Sequence, residues 1–219
     1  MSETVIHLDG ALPLAVLDER GWVQGAWESA GGVCVHQAIR LCAPVPGDAH
    51  LIEWVAKAHG HGPDWNDDDA TLEADVRAWL AEGIDVTDDD LAEVFGPQWR
   101  AVVSLVRRAA TSTGDEAGRL RAARVAAWDA AGVAARDAAR DAAWDAAGGA
   151  AVGAAGDAAG GVAGGAARGA AWDAAWAVVT WDLATGDGPY TEARRDLLIG
   201  PWVEVCGLPE GLIEREDMD

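Results

Sequence analysis

Residues 126–176 read "AAWDAAGVAARDAARDAAWDAAGGAAVGAAGDAAGGVAGGAARGAAWDAAW", and the fold of the chain turns on what this stretch is. From Arg124 to Val179 the sequence divides into tetrads. Their third and fourth places are Ala, apart from Val162, Val178 and Val179; the first takes Trp, Arg, Gly or Val and the second mostly Asp or Gly. A strand needs a period of two and a share of β-branched residues, whereas Ala is the strongest helix former. Collagen-like and polyproline helices need a period of three. The tract therefore reads as α-helix.

Four residues turn an α-helix by about 400°, so the Ala pair drifts around the surface by roughly 40° per tetrad. At about 100° per residue, Trp128, Trp144, Trp172 and Trp176 cover less than half the circumference. The remaining flank carries nothing larger than Ala and Gly. Such flanks allow helix axes to approach to the short end of the usual range, about 8 Å. Helix-on-helix packing follows, either within the tract or between copies of the chain. Gly is dense between Gly148 and Gly169, and each Gly costs a helix about 1 kcal/mol relative to Ala. That predicts a break near Gly148-Gly149 or Gly160-Gly161. The expected arrangement is an antiparallel pair of helices over about 115–147 and 150–184, with an unbroken rod as the alternative. Duplication of a four-codon unit in the gene would produce the same pattern, and the tract would then be a helical spacer.

Beyond the tract, the 219 residues are 50% hydrophobic, but only 6% are aromatic, and twelve of those aromatic residues are Trp. Ala inflates the apolar share, so large side chains are fewer than that percentage implies. The net charge of −21 is unevenly placed: residues 1–108 hold 19 acids and 7 bases, 109–185 hold 9 and 6, and 186–219 hold 9 and 3. Direct nucleic-acid binding through a basic surface is excluded, because it requires clustered Lys and Arg. An acidic surface suits solubility or a basic protein partner. No apolar run predicts a membrane span, and "MSETVIHLDG" lacks the basic and apolar regions of a signal peptide. Cys34, Cys42 and Cys206 fit no disulfide framework, which points to free thiols in a reducing cytoplasm.

The expected fold class is mainly α. A mostly helical head spans 1–110, the Ala-rich tract 111–185, and a C-terminal capping helix and tail 186–219. Within the head, "LPLAVLDERG" predicts a short helix closed by Gly21. "WVQGAWESAGGVCVHQAIRLC" predicts two short extended pieces around a turn at Ala30-Gly31-Gly32, followed by a helix over about Val35–Cys42. Helices are expected in "GDAHLIEWVAKAHG" and "DDATLEADVRAWLAEG". Another begins at Thr87, and one follows Pro97. "TSTGDEAG" separates head from tract. Thr191 is expected to cap a last helix whose Leu197, Leu198, Trp202, Val203 and Cys206 pack back on the tract or the head.

Three stretches, "RGWVQGAWESAGGVCVHQAI" (20–39), "WNDDDAT" (65–71) and "EADVRAWLAE" (73–82), together resemble a small domain family of actinobacteria and their phages. That family carries G-W-C-Q-G, a V-C-L segment leading to Gly-Ala-Leu, and W-N-D before its last helix. The resemblance covers about residues 15–85 and implies no activity. It departs at Val23, which stands where the family has its first Cys, and at "CVHQAI", which replaces the Gly-Ala pattern. Val23 argues against thiol chemistry at that position.

Two groups of residues carry potential chemistry. Cys34 and His36 form a C-x-H, but a Cys–His nucleophile needs the thiol and base to meet in space. Neighbouring positions on a short segment usually point apart unless they lie on a turn, and two small buried hydrophobes at Cys34 and Cys42 are the simpler reading. The loop "HGHGPDWNDDD" (59–69) offers His59, His61, Asp64 and Asp67 as nitrogen and oxygen ligands for a divalent ion. Its spacing is not that of an EF-hand, and Asp69 or Thr71 as a helix cap accounts for part of it. No cofactor is expected, since phosphate-cradling Gly loops and a Gly-x-Ser-x-Gly elbow are missing. The leading functional expectation is a non-enzymatic helical interaction or assembly protein of phage or mobile-element type, acting on a protein partner and self-associating through its small faces. The alternatives are a small-ligand or metal binder, or a hydrolase-like enzyme, using the His, Asp and Cys residues of the head, and an acidic DNA mimic.

Overall fold

The computed structural model describes residues 2–26, 28–29, 32–147, 153–154, 156–157, 165–183 and 191–212. The chain is mainly α, as expected, and forms two compact units, Met1–Leu91 and Ala92–Asp219.

In the first unit, β1 (Thr4–Leu8) leads into α1 (Ala11–Arg20). Gly21, at φ 80°, ends α1 by returning its N–H to the Leu17 carbonyl, the role expected of it. At the other end of α1, a Cβ on Gly10 would overlap the Leu80 carbonyl oxygen, so only Gly fits there. The short hairpin β2 (Glu28–Ser29) and β3 (Gly32–Val33) pairs Glu28 with Val33 and Ser29 with Gly32; Ala30 and Gly31 of the expected turn lie outside the described residues. Then come α2 (Val35–Cys42), α3 (Asp48–Ala58), α4 (Pro63–Asn66), α5 (Glu73–Ala81) and β4 (Ile84–Thr87).

The β1–β4 pairing was not expected. The strands run antiparallel and bury Ile6, Leu8, Ile84 and Val86 on one face, while His7 and Asp85 meet at 2.7 Å on the exposed one. Four or five residues of alternation are too few to stand out before the partner strand is known. Thr87 caps α6 (Asp88–Phe95) as expected: its hydroxyl accepts the Asp90 N–H at 3.2 Å, and its own N–H donates to the Asp90 carboxylate at 2.8 Å. Asp69 and Thr71 do not cap α5. The Asp75 carboxylate takes the Leu72 N–H at 3.0 Å instead, and Thr71 is buried.

The second unit contains α7 (Trp99–Ala110), α8 (Gly114–Ala147), α9 (Gly165–Leu183) and α10 (Glu192–Cys206). "TSTGDEAG" is more than a separator. Thr113 and Glu116 form a reciprocal cap at the start of α8, a Thr-x-x-Glu pattern with a known mechanism. Arg108 pairs with the same carboxylate and, with Thr113, holds it down to about 2.

The described parts of the tract are helical, and they contain a break at a position the Gly density did not single out. At Gly132 φ is 69° and ψ 156°, a conformation open essentially to Gly alone. This break falls inside the span expected to be one helix over 115–147; Gly148-Gly149 and Gly160-Gly161 lie outside the described residues. Gly132 is the one Gly among the tetrads from Arg124 to Ala147. Around it the Arg136 guanidinium lies 3.4 Å from the centre of the Trp128 ring, so residues four before and four after the break are face to face.

The Ala side chains of α9 are largely buried, whereas Ala122, Ala126 and Ala130 of α8 are exposed. On α9, Ala166, Ala167, Ala170, Ala171, Ala174, Ala175 and Ala177 are all buried, as are Trp176, Val178 and Val179. Its C-terminal half, Ala170–Val179, is almost wholly buried, as expected of an interior helix, and α9 touches α7, α8 and α10. The closing helix α10 packs on both α8 and α9, as expected of a cap, and buries Leu198, Ile199, Pro201 and Trp202. Thr191 stands at its N-cap without a side-chain hydrogen bond. Among the described residues no helix is long and apolar enough to cross a membrane.

Candidate functional site

After α1 ends at Gly21, the chain hooks onto β3. The Val33 N–H donates to the Gly21 carbonyl at 3.0 Å and the Val23 N–H to the Val33 carbonyl at 3.1 Å. This places Trp22–Gly25 opposite α4 and the loop that follows it. Four side-chain hydrogen bonds then join the two segments. The Trp22 indole N–H donates to Asn66 Oδ1 at 3.0 Å. Gln24 Nε2 donates to the Asp68 and Thr71 carbonyls at 2.9 and 3.1 Å. The Gly25 N–H donates to Asp67 Oδ1 at 2.8 Å, an oxygen that also accepts from Asn66 Nδ2 at 2.8 Å.

Asn66 is 1% exposed. A buried carboxamide left unpaired costs about 1–3 kcal/mol, and this one is satisfied through Trp22, the Val35 N–H at 3.4 Å and Asp67. The residues that carried the family resemblance, separated by some forty positions, thus assemble one structure.

That structure encloses a cavity of about 110 Å³. Gly25, Ala26 and Asp67 are exposed and form its rim; Cys34, His36 and Asn66 are buried and form its floor. Pro63, which opens α4, completes the wall. Cys34 is the N-cap of α2, its sulfur accepting the Gln37 N–H at 3.4 Å, and His36 sits in the first turn. The cap geometry is what turns two near neighbours toward the same space, the exception allowed for in the C-x-H pattern.

Both floor groups are neutral. Burial is the main influence on each, raising the Cys34 thiol and lowering the His36 imidazole from their ordinary values. Around Cys34 the Gln37 and His36 backbone N–H groups work the other way; around His36, Glu53 and the Gly62 backbone partly offset burial. His36 is 2% exposed, and neither ring nitrogen completes a hydrogen bond of normal geometry. The Gly62 backbone is the polar group that approaches the ring, at less than normal hydrogen-bond geometry. Buried polar groups are almost always satisfied, so this one is an exception that calls for a partner.

The expected metal ligands are not brought together. His59 is half-exposed, its Nε2 lying 3.5 Å from Asp90. His61 stacks on Trp79, with ring centres 5.0 Å apart and planes at 9°, and meets Trp65 edge-on at 4.8 Å. Asp64 is exposed on α4, and Asp67 already holds Gly25 and Asn66. Among the described residues no group of three or more His, Cys, Asp or Glu side chains is placed to hold a metal ion. The aromatic neighbours of His61 and the backbone task of Asp67 explain the composition of the loop instead.

Comparison with protein-family models, with curated proteins and with solved structures gives no match to this chain. The site stands on its geometry.

Proposed function

We propose that the Met1–Leu91 unit is a small-ligand-binding domain and that the Ala-rich helices form a self-contained scaffold. The observation that carries this reading is His36: an almost fully buried imidazole on the floor of an accessible cavity, with the Gly62 backbone approaching the ring and neither nitrogen in a hydrogen bond of normal geometry. A buried imidazole nitrogen without a well-formed hydrogen bond is costly, and a ligand that pairs with it removes the cost. Catalysis by Cys34 is less well supported. The thiolate is the nucleophile, and burial keeps this thiol protonated.

The test is a screen of small polar compounds of different charge against the ¹⁵N-labelled chain. The expected result is that at least one compound shifts the Trp22 indole resonance saturably and raises the melting temperature by mass action. If no compound moves that resonance, or if the shifts persist in His36→Leu, the cavity is not a ligand site.

A second reading keeps the protein as an assembly or partner-binding protein. It is favoured by the half-exposed Val125 and Trp128 on α8 together with the acidic excess of residues 1–108. Light scattering decides on self-association: a stable dimer that Trp128→Ser dissolves supports it, and a monomer at all concentrations removes it. The small side chains of α9 are mostly buried within the chain, while Ala122, Ala126 and Ala130 of α8 stand exposed.

A further inference from the structure

We infer that the cavity of the Met1–Leu91 unit takes a compact organic cation with N–H donors, of the guanidinium or ammonium class. This rests on the ligand-binding reading and adds the chemistry of the ligand to it.

Size is the first constraint. An engineered cavity of about 150 Å³ in another protein accepts benzene, so 110 Å³ suits a head group of about four to five non-hydrogen atoms by the same scale. Charge is the second. No Lys or Arg side chain lines the cavity, and Asp67 stands at its rim. Arg40, the cation whose charge acts on His36, is tied to Glu53 at 3.1 Å and contacts His50 at 3.2 Å. An anion entering here would meet a carboxylate and no free counter-charge, whereas a cation meets a charge-assisted acceptor.

Hydrogen-bond polarity is the third constraint. Both N–H groups that reach Asp67 go to Oδ1, so Oδ2 has no donor among the described residues. On the floor, Asn66 Oδ1 is taken by Trp22 and Val35. The neutral His36 ring presents one acceptor nitrogen and one N–H. The unfilled acceptors are therefore a rim carboxylate oxygen and a floor imidazole nitrogen. A head group with several N–H donors satisfies both at once. A cation without N–H, or a neutral molecule with a single donor, satisfies at most one.

The experiment titrates the full chain, at fixed ionic strength, with methylguanidinium chloride, methylammonium chloride, tetramethylammonium chloride, acetamide and sodium acetate, following the Trp22 indole resonance. The first two are expected to bind, with methylguanidinium at least tenfold tighter than acetamide or tetramethylammonium and acetate without effect. Asp67→Asn is expected to weaken methylguanidinium at least tenfold while acetamide is unchanged. Acetate or acetamide binding as well as methylguanidinium overturns the inference but leaves the ligand site standing. Tetramethylammonium binding equally well overturns the N–H requirement. No probe binding, with binders found among other compounds, also overturns the inference; no binder of any kind removes the site itself. The comparison among probes on the unaltered chain decides the matter if Asp67→Asn does not fold.

Discussion

The indole N–H of Trp22 donates to Asn66 Oδ1 at 3.0 Å across 44 positions of sequence, and the bond lies on the floor side of the head cavity. Trp22→Phe keeps most of the ring and deletes the donor, leaving Asn66 Oδ1 with only the long Val35 contact. The expected cost is about 1–2 kcal/mol, read as a lower urea midpoint with the slope unchanged. A variant as stable as the parent would mean that the bond does not organise the loop.

His36 gives stability a pH dependence with a definite sign. Burial lowers its pKa below the ordinary 6.5, so the unfolded chain accepts a proton that the folded chain refuses. The contribution is complete above pH 6.5 and is lost as pH falls below that value toward the folded pKa. Subtracting the profile of His36→Leu from that of the parent should isolate this slope. Parallel profiles between neutral pH and pH 5 would show that the imidazole is not held neutral.

Much of the architecture was legible because it depends on local physics. Ala at half of all tract positions dictates helix whatever the neighbours do, and Gly21 and Thr87 perform the end-of-helix roles their residue types favour. Long-range geometry was not legible. β1 and β4 gain meaning only as a pair, and the break at Gly132 depends on what α8 must turn to meet. The Thr113–Glu116 cap is written in the Thr-x-x-Glu spacing of a stretch whose Gly, Ser and Thr content otherwise resembles a linker. At the site, Cys34, Asn66 and Asp67 were visible as separate motif residues, but their convergence is tertiary. Where the His and Asp side chains of the 59–69 loop lie was not legible either, since composition does not fix it, and His61 packs against Trp65 and Trp79.

Gly132 tests whether the tract is broken by design of its backbone. At φ 69° and ψ 156° an Ala is strained by about 1–3 kcal/mol, while a continuous helix would gain about 1 kcal/mol from the same change. Gly132→Ala is therefore expected to lower the melting temperature. A rise instead would indicate an unbroken helix through this position and would remove the stacking of Arg136 on Trp128.

Asp173 places a charge in the interior of the second unit, 4% exposed, with Arg124 Nε at 2.8 Å. Burial raises its pKa, and Arg124, then Arg136 and Arg140, oppose that rise. Deleting Arg124 leaves a buried carboxylate with weaker compensation, a change that costs about 3 kcal/mol when a buried pair is broken. Asp173→Asn removes the charge instead and strands only the partly exposed Arg124, so it should cost less. The pH dependence separates the two cases. In Arg124→Ala the folded carboxyl lies further above its unfolded value, so the folded state gains protons first as pH falls. Its deficit against the parent should therefore shrink on acidification toward pH 4, while that of Asp173→Asn should not. Denaturant titrations of both variants at neutral pH and near pH 4.5 measure this. Equal deficits at both values for Arg124→Ala would show that the carboxylate is not the group being stabilised.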